Sequence, residues 1–287
     1  MEKRKGKSSL LLFVLVSYGQ LWLLFGIGKL FDIPFSMDPR QLGGLLYIVG
    51  ASAPLIAAIL ATVIISRREG LRLLFNRSFE WRFSLIWYLA AVSIPFIVTA
   101  VSTAAAISII EAKVPEKWFS PAFGIAFLVF FLIYDGLGEE VGWRGLALPE
   151  LQRRLGSLGG NIILGIIWAL WHLPLFFMPG SFQYGDSLFI YVYLLTCWSI
   201  VIALLVNKAR GSVLVAILFH ETANFIAFTI RYPQTYYVLF VWGVAAAIAI
   251  VFLPRPLVRL PWKSYRSFPS VAQPLARGDA SRCDAMN

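Results

Sequence analysis

Charge is what this sequence has least of. Only 14% of its 287 residues are Asp, Glu, Lys or Arg, against about 25% in ordinary soluble domains. A water-facing surface of normal size is therefore excluded. Cysteine and histidine occur twice each. Cys197 lies in an apolar block and Cys283 in a polar tail, so neither a disulfide framework nor a zinc-cysteine cluster is expected. There is no alternating polarity in segments of about ten residues, which excludes a transmembrane barrel. No repeat of roughly 20–50 residues marks a solenoid, and nothing marks a second domain.

What remains is hydrophobicity, at 59% apolar residues and a mean hydropathy of +0.75. The apolar residues fall in blocks of roughly 17–25, enough to cross about 30 Å of hydrocarbon. The blocks are Ser9–Gly28, Gly43–Ser66, Leu85–Ile110, Pro121–Leu137, Asn161–Met178, Leu188–Val206, Ser212–Ile230 and Tyr236–Leu253. The first follows the basic flank Met1–Lys7 and lacks a clean small-x-small cleavage site, so it is read as a retained helix. These blocks predict an all-α, polytopic membrane helical bundle of about eight transmembrane helices over residues 1–253. Residues 254–287 form a basic tail without periodicity, expected to be disordered.

Numbering the flanks alternately from the N-terminus puts all but five of the 25 Lys and Arg residues on one side. The five are Lys29, Arg40, Lys113, Lys117 and Arg231. Positively charged flanks stay on the cytoplasmic side, so both termini are expected there. The net charge of +10 is thereby assigned to topology and to a bilayer with anionic headgroups, not to nucleic acid.

Ionisable groups inside a bilayer cost a few kcal/mol even on lenient scales, so they turn toward one another or toward a wet cavity. Here they are Asp135, Glu139, Glu140, His172, His220 and Glu221, with Asn224 beside them. In Gly138-Glu-Glu-Val-Gly-Trp-Arg144, Glu140 and Arg144 are four apart and share a helix face as an ion pair. Glu139 is rotated about 100° from Glu140 and is free to face a central cavity. The apolar Leu146–Leu148 that follows argues that the helix continues past the cluster. Trp168 and His172 form a second i, i+4 pair. His172 lies roughly 12 residues, about 18 Å, into its block, and Pro174 should bend the chain just beyond it. His220 and Asn224 form the third pair, with Glu221 off their face. A damaged H-E-x-x-H zinc motif is a weak reading, because a carboxamide in place of the second His is a poor zinc ligand.

Glu139-Glu140-x-x-x-Arg144, Trp168-x-x-x-His172 and His220-x-x-x-Asn224, in that order on successive apolar blocks, resemble the motifs of the CAAX-protease and bacteriocin-processing (CPBP, or Abi) intramembrane peptidases. The resemblance covers about 121–230. Trp168 departs from the more common Phe. It implies an endopeptidase cutting near the C-terminus of membrane-attached, in some relatives prenylated, proteins or peptides. It further implies Glu139 and His172 as the water-activating pair and His220 and Asn224 as the oxyanion site. Glu140, Arg144 and Trp168 then support the site. No cofactor is expected, since Asn224 suits an oxyanion better than a metal. The alternative is Zn²⁺ or another divalent ion on Glu139, His172 and His220, three ligands with an open fourth position. The membrane would be the plasma (inner) membrane of a bacterium or the endoplasmic reticulum of a eukaryote. The rival reading is a non-catalytic immunity or scaffold protein of the same fold, disfavoured because every motif residue is kept. A transporter usually shows two related halves, and none are visible.

Overall fold

Hydrophobic runs in a medium without water must satisfy their backbone internally, which favours helices. The computed structural model of the chain describes residues 2–115, 132–230 and 236–253, and its elements are helices. They are α1 (Glu2–Leu30), α2 (Leu42–Ala51), α3 (Ala53–Ser78), α4 (Leu85–Ile110), α5 (Leu148–Trp171), α6 (Leu188–Lys208), α7 (Leu214–Thr229) and α8 (Tyr236–Phe252). Two π-helical segments, Leu132–Leu137 and Val141–Ala147, precede α5 and flank a single α turn at Gly138–Glu140. The protein is an integral membrane protein by these helices. Among the described residues four helices are long and apolar enough to cross a membrane, or five when the α2–α3 pair, bent by 44°, counts as one. α7 and α8 are apolar but shorter. Most of the expected block Pro121–Leu137, and the tail 254–287, lie outside the described residues.

The longest apolar segment, Tyr134–Phe177, is not one straight rod. At Gly156 the backbone takes φ 75° and ψ 174°, a conformation open essentially to glycine alone. The chain folds back there: a Cβ built on Gly160 would lie 2.7 Å from the backbone nitrogen of Gln152. Eight residues along a straight helix span about 12 Å, so the two arms on either side of Gly156 run antiparallel. Gln152 Nε2 donates to Asn161 Oδ1 across this corner at 3.4 Å. The hairpin brings the Glu139–Arg144 arm alongside the Trp168–His172 arm, although sequence alone separates them by nearly thirty residues.

Small residues set the packing. α1 and the second π segment both lie against α3, whose Ala57, Ala58 and Ala61 are fully buried. Gly142 is the point of closest approach. A Cβ there would meet the Pro54 carbonyl oxygen at 2.5 Å and Phe13 at 2.8 Å, so any larger residue would push the carboxylate-bearing segment off α3. α5 packs on α6, α6 on α8, and α4 on α7.

Two sets of side chains tie off backbone that these segments leave unpaired. Arg77 of α3 donates from Nη1 to the Gly145 carbonyl at 2.9 Å and from Nε to that of Gly211 at 3.3 Å. It thereby fixes the end of the second π segment to the loop before α7. At the far end of α5, the last carbonyls have no helical partner. α1 supplies one of them, with Trp22 donating to the Trp171 carbonyl at 3.1 Å, and Tyr18 adds a bond to the Ile167 carbonyl, while the Trp171 indole returns a bond to the Ser17 carbonyl at 3.1 Å.

Candidate active site

Glu139 and Glu140 sit on the one α turn between the π segments and are almost wholly buried. As the i, i+4 spacing predicts, Glu140 Oε1 accepts from Arg144 Nη1 at 2.8 Å with both side chains fully enclosed. Glu139 turns the other way, toward α5. Its Oε2 accepts from the Trp168 indole Nε1–H at 2.5 Å, and its Oε1 lies 3.8 Å from His172 Nε2. That second distance is too long for a direct hydrogen bond and leaves the two groups facing each other across a gap.

The orientation of His172 follows from the way α5 ends. Pro174 has no N–H and cannot continue an α-helix, and the chain tightens into a 3₁₀ turn over Leu173–Phe177. The His172 amide therefore bonds the Ala169 carbonyl at 3.1 Å, one residue short of the α pattern. The Trp168 carbonyl is thereby released from helical bonding, and His172 Nδ1 takes it at 2.9 Å. A carbonyl only accepts, so Nδ1 carries the proton and Nε2 presents its lone pair toward Glu139 in the neutral ring. Trp171 and Tyr191 meet the imidazole edge-to-face at 4.7 and 5.4 Å.

α7 brings His220 to the same place from the other side. Its Nδ1 lies 3.0 Å from Glu140 Oε1, so Glu140 serves two partners, Arg144 and His220. The His220 ring stands at 81° to the Trp168 indole with centroids 5.3 Å apart, and the Arg144 guanidinium lies 4.2 Å from that indole's centroid. Asn224, one turn on from His220, is half-buried and makes no hydrogen bond to the described residues. Of the residues expected from sequence, the structure gathers Glu139, Glu140, Arg144, Trp168, His172 and His220 into one buried contact network. Asn224 joins it only through its helix.

Two further buried carboxyls border the site. Asp135 accepts from the Tyr47 hydroxyl of α2 at 3.3 Å. Glu221 has no hydrogen-bond partner among the described residues for either oxygen, and it packs on Gly136, whose Cβ would meet its Oε1 at 2.9 Å. Their polarity was visible in the sequence. Tyr47, Tyr191 and Arg77 were not singled out, since a tyrosine in an apolar run or an arginine in a basic one gives no spacing signal.

Glu139, His172 and His220 are the ligand set that a divalent ion would use. Each histidine has its Nδ1 committed, to a backbone carbonyl and to Glu140 respectively, an arrangement that leaves Nε2 for other partners. Among the described residues no three His, Cys, Asp or Glu side chains are grouped to hold an ion.

Residues 121–226, which hold all of these side chains except those from α1 to α3, match the family described as type II CAAX prenyl endopeptidase, Rce1-like. This segment of the chain is similar to the CAAX-protease family. A relative is the CAAX prenyl protease 2 of Methanococcus maripaludis, 35% identical over 106 residues, covering 34% of this chain and 38% of the relative. The chain thus matches well under half of that relative's length. Within the matched residues, the network described above contains the first two motifs that suggested the family from sequence and His220 of the third.

Proposed function

We propose that the protein is an intramembrane endopeptidase that cleaves near the C-terminus of membrane-attached, CAAX-type proteins or peptides. The observation that carries this reading is the pairing of Glu139 Oε1 with His172 Nε2 across 3.8 Å, inside a buried site in the segment similar to the CAAX-protease family. That gap suits one bridging water. Glu139 removes a proton from the water as general base, and the hydroxide attacks the scissile carbonyl. The resulting oxyanion receives hydrogen bonds from His220 Nε2–H and the Asn224 amide. The proton taken from water passes, by way of Glu139 or His172, to the leaving amine nitrogen as the C–N bond breaks. Glu140 and Arg144 hold His220. No metal or other cofactor enters this scheme. Chelator treatment should leave activity intact, and elemental analysis of the active protein should find no stoichiometric divalent ion.

The substrate end of the proposal is a polypeptide whose C-terminal region is held at the bilayer, with a prenyl group as one means of attachment. The chain is further proposed to make eight crossings with both termini in the cytoplasm, so that a cytoplasmic C-terminal tail reaches the site. Purified protein is to be assayed against peptides ending in farnesylcysteine plus three aliphatic residues and against their unmodified counterparts. Glu139→Ala and His172→Ala are expected to abolish cleavage while the protein remains folded in detergent. Undiminished proteolysis by the Glu139 variant would falsify its role as base.

A further inference from the structure

We infer that Trp168 is the residue that sets the geometry of the Glu139–His172 pair, acting on both members at once. The inference rests on the peptidase reading above and deepens it. A carboxylate on a flexible Glu side chain has two oxygens and several rotamers, so a usable base needs one oxygen fixed and the other free. The Trp168 indole N–H fixes Glu139 Oε2 at 2.5 Å, which leaves Oε1 toward His172. The same residue's carbonyl holds His172 Nδ1 at 2.9 Å, which turns Nε2 toward Glu139. One residue therefore aligns both partners, its side chain on one and its backbone on the other.

The ring face has a second task. Arg144 lies over it at 4.2 Å from the centroid. Its Nε and Nη2 have no hydrogen-bond partner among the described residues. A guanidinium so placed is held by the aromatic face and by Glu140, rather than turning its free N–H groups onto Glu139. Were it to do so, Glu139 would be paired with a fixed cation and lost as a base. Trp168 thus contacts both groups, with Arg144 and His220 against its ring and Glu139 and His172 at its N–H and carbonyl. It is a positioning residue, not a catalytic one.

The decisive variant removes only the indole N–H. Trp168 is replaced, in the full-length protein, by the benzothienyl analogue of tryptophan, in which sulfur stands for N–H, and in parallel by Trp168→Phe. A hydrogen bond to a charged group contributes about 1.5–3 kcal/mol, so kcat on the farnesylated peptide should fall about 10–100-fold. KM should stay within about twofold, since the interaction concerns the base and not ground-state binding. An unchanged kcat, or a change confined to KM and melting temperature, overturns the inference. A readout independent of turnover is the Trp168 indole proton resonance, identified by its absence in Trp168→Phe. It should lie far downfield and move on Glu139→Gln, and a resonance indifferent to Glu139 overturns the inference whatever peptide is cleaved. Failure of the wild type to cleave any peptide counts against the peptidase reading alone.

Discussion

His220 is engaged through one ring nitrogen before any substrate arrives. Its Nδ1–H points at a carboxylate that Arg144 also holds. A neutral imidazole has one N–H only, so Nε2 can donate to an oxyanion only when the ring is a full imidazolium. The sign of the pH dependence follows. The protonated ring is the active form, and cleavage falls as rising pH removes the second proton. Glutamine supplies an amide donor that does not titrate. His220→Gln should therefore be slower by less than the roughly 10²–10³-fold that complete loss of a donor costs, and should also lack the alkaline limb of the wild-type kcat profile. A limb that survives unchanged in the variant would assign it to another group. At this scale the sequence was informative wherever chemistry depends on i, i+4 spacing. The Glu140–Arg144 ion pair, the divergence of Glu139 from Glu140 and the shared face of Trp168 and His172 could all be read from it. The pairing of His220 with Glu140 could not, because it joins residues eighty apart. Nor could the indole bond to Glu139, because spacing says nothing about which helices become neighbours.

The element that decides those neighbours is the hairpin centred on Gly156. Hydropathy saw two apolar blocks and a polar stretch between them, but gave no position for the corner. The glycine itself is unremarkable among 22 in the sequence. The π segments are equally invisible in the sequence, because apolar spacing does not tell them from an α-helix and because the Gly145 carbonyl is taken up by Arg77 from a distant helix. Gly156 offers a clean test of the corner. A Cβ there would have nothing within 4 Å, yet φ is 75°, so the cost of alanine is purely conformational. Holding a residue with a side chain in such a region costs about 1–3 kcal/mol. Gly156→Ala should lower unfolding stability in detergent by that amount. Gly19→Ala also meets open space, but with no positive φ, and should be neutral or slightly stabilising, as alanine is in a helix. Equal effects from the two substitutions would remove the corner from Gly156.

At the scale of the whole molecule, apolar side chains do two different jobs. Alanines fill the tight contacts of α3, whereas large residues such as Phe189, Phe240 and Leu85 are exposed, as lipid-facing positions should be. This is why composition announced a membrane protein while the count of crossings was harder to read. Bent, folded-back and short helices do not each match one hydrophobic block, and four or five described helices meet the length and apolarity of a span where eight blocks were expected. Charge gives an independent handle, because the distribution of Lys and Arg acts on insertion and not on helix length. All but five of the 25 basic residues fall on one side of the proposed path, and the two cysteines make that path measurable. Cys197 is buried in α6, which leaves Cys283 of the tail as the reactive thiol. In intact cells a membrane-impermeant maleimide should label Lys113→Cys, just past the exposed end of α4, and should reach Cys283 only after permeabilisation. Labelling of Cys283 without permeabilisation would put the tail outside.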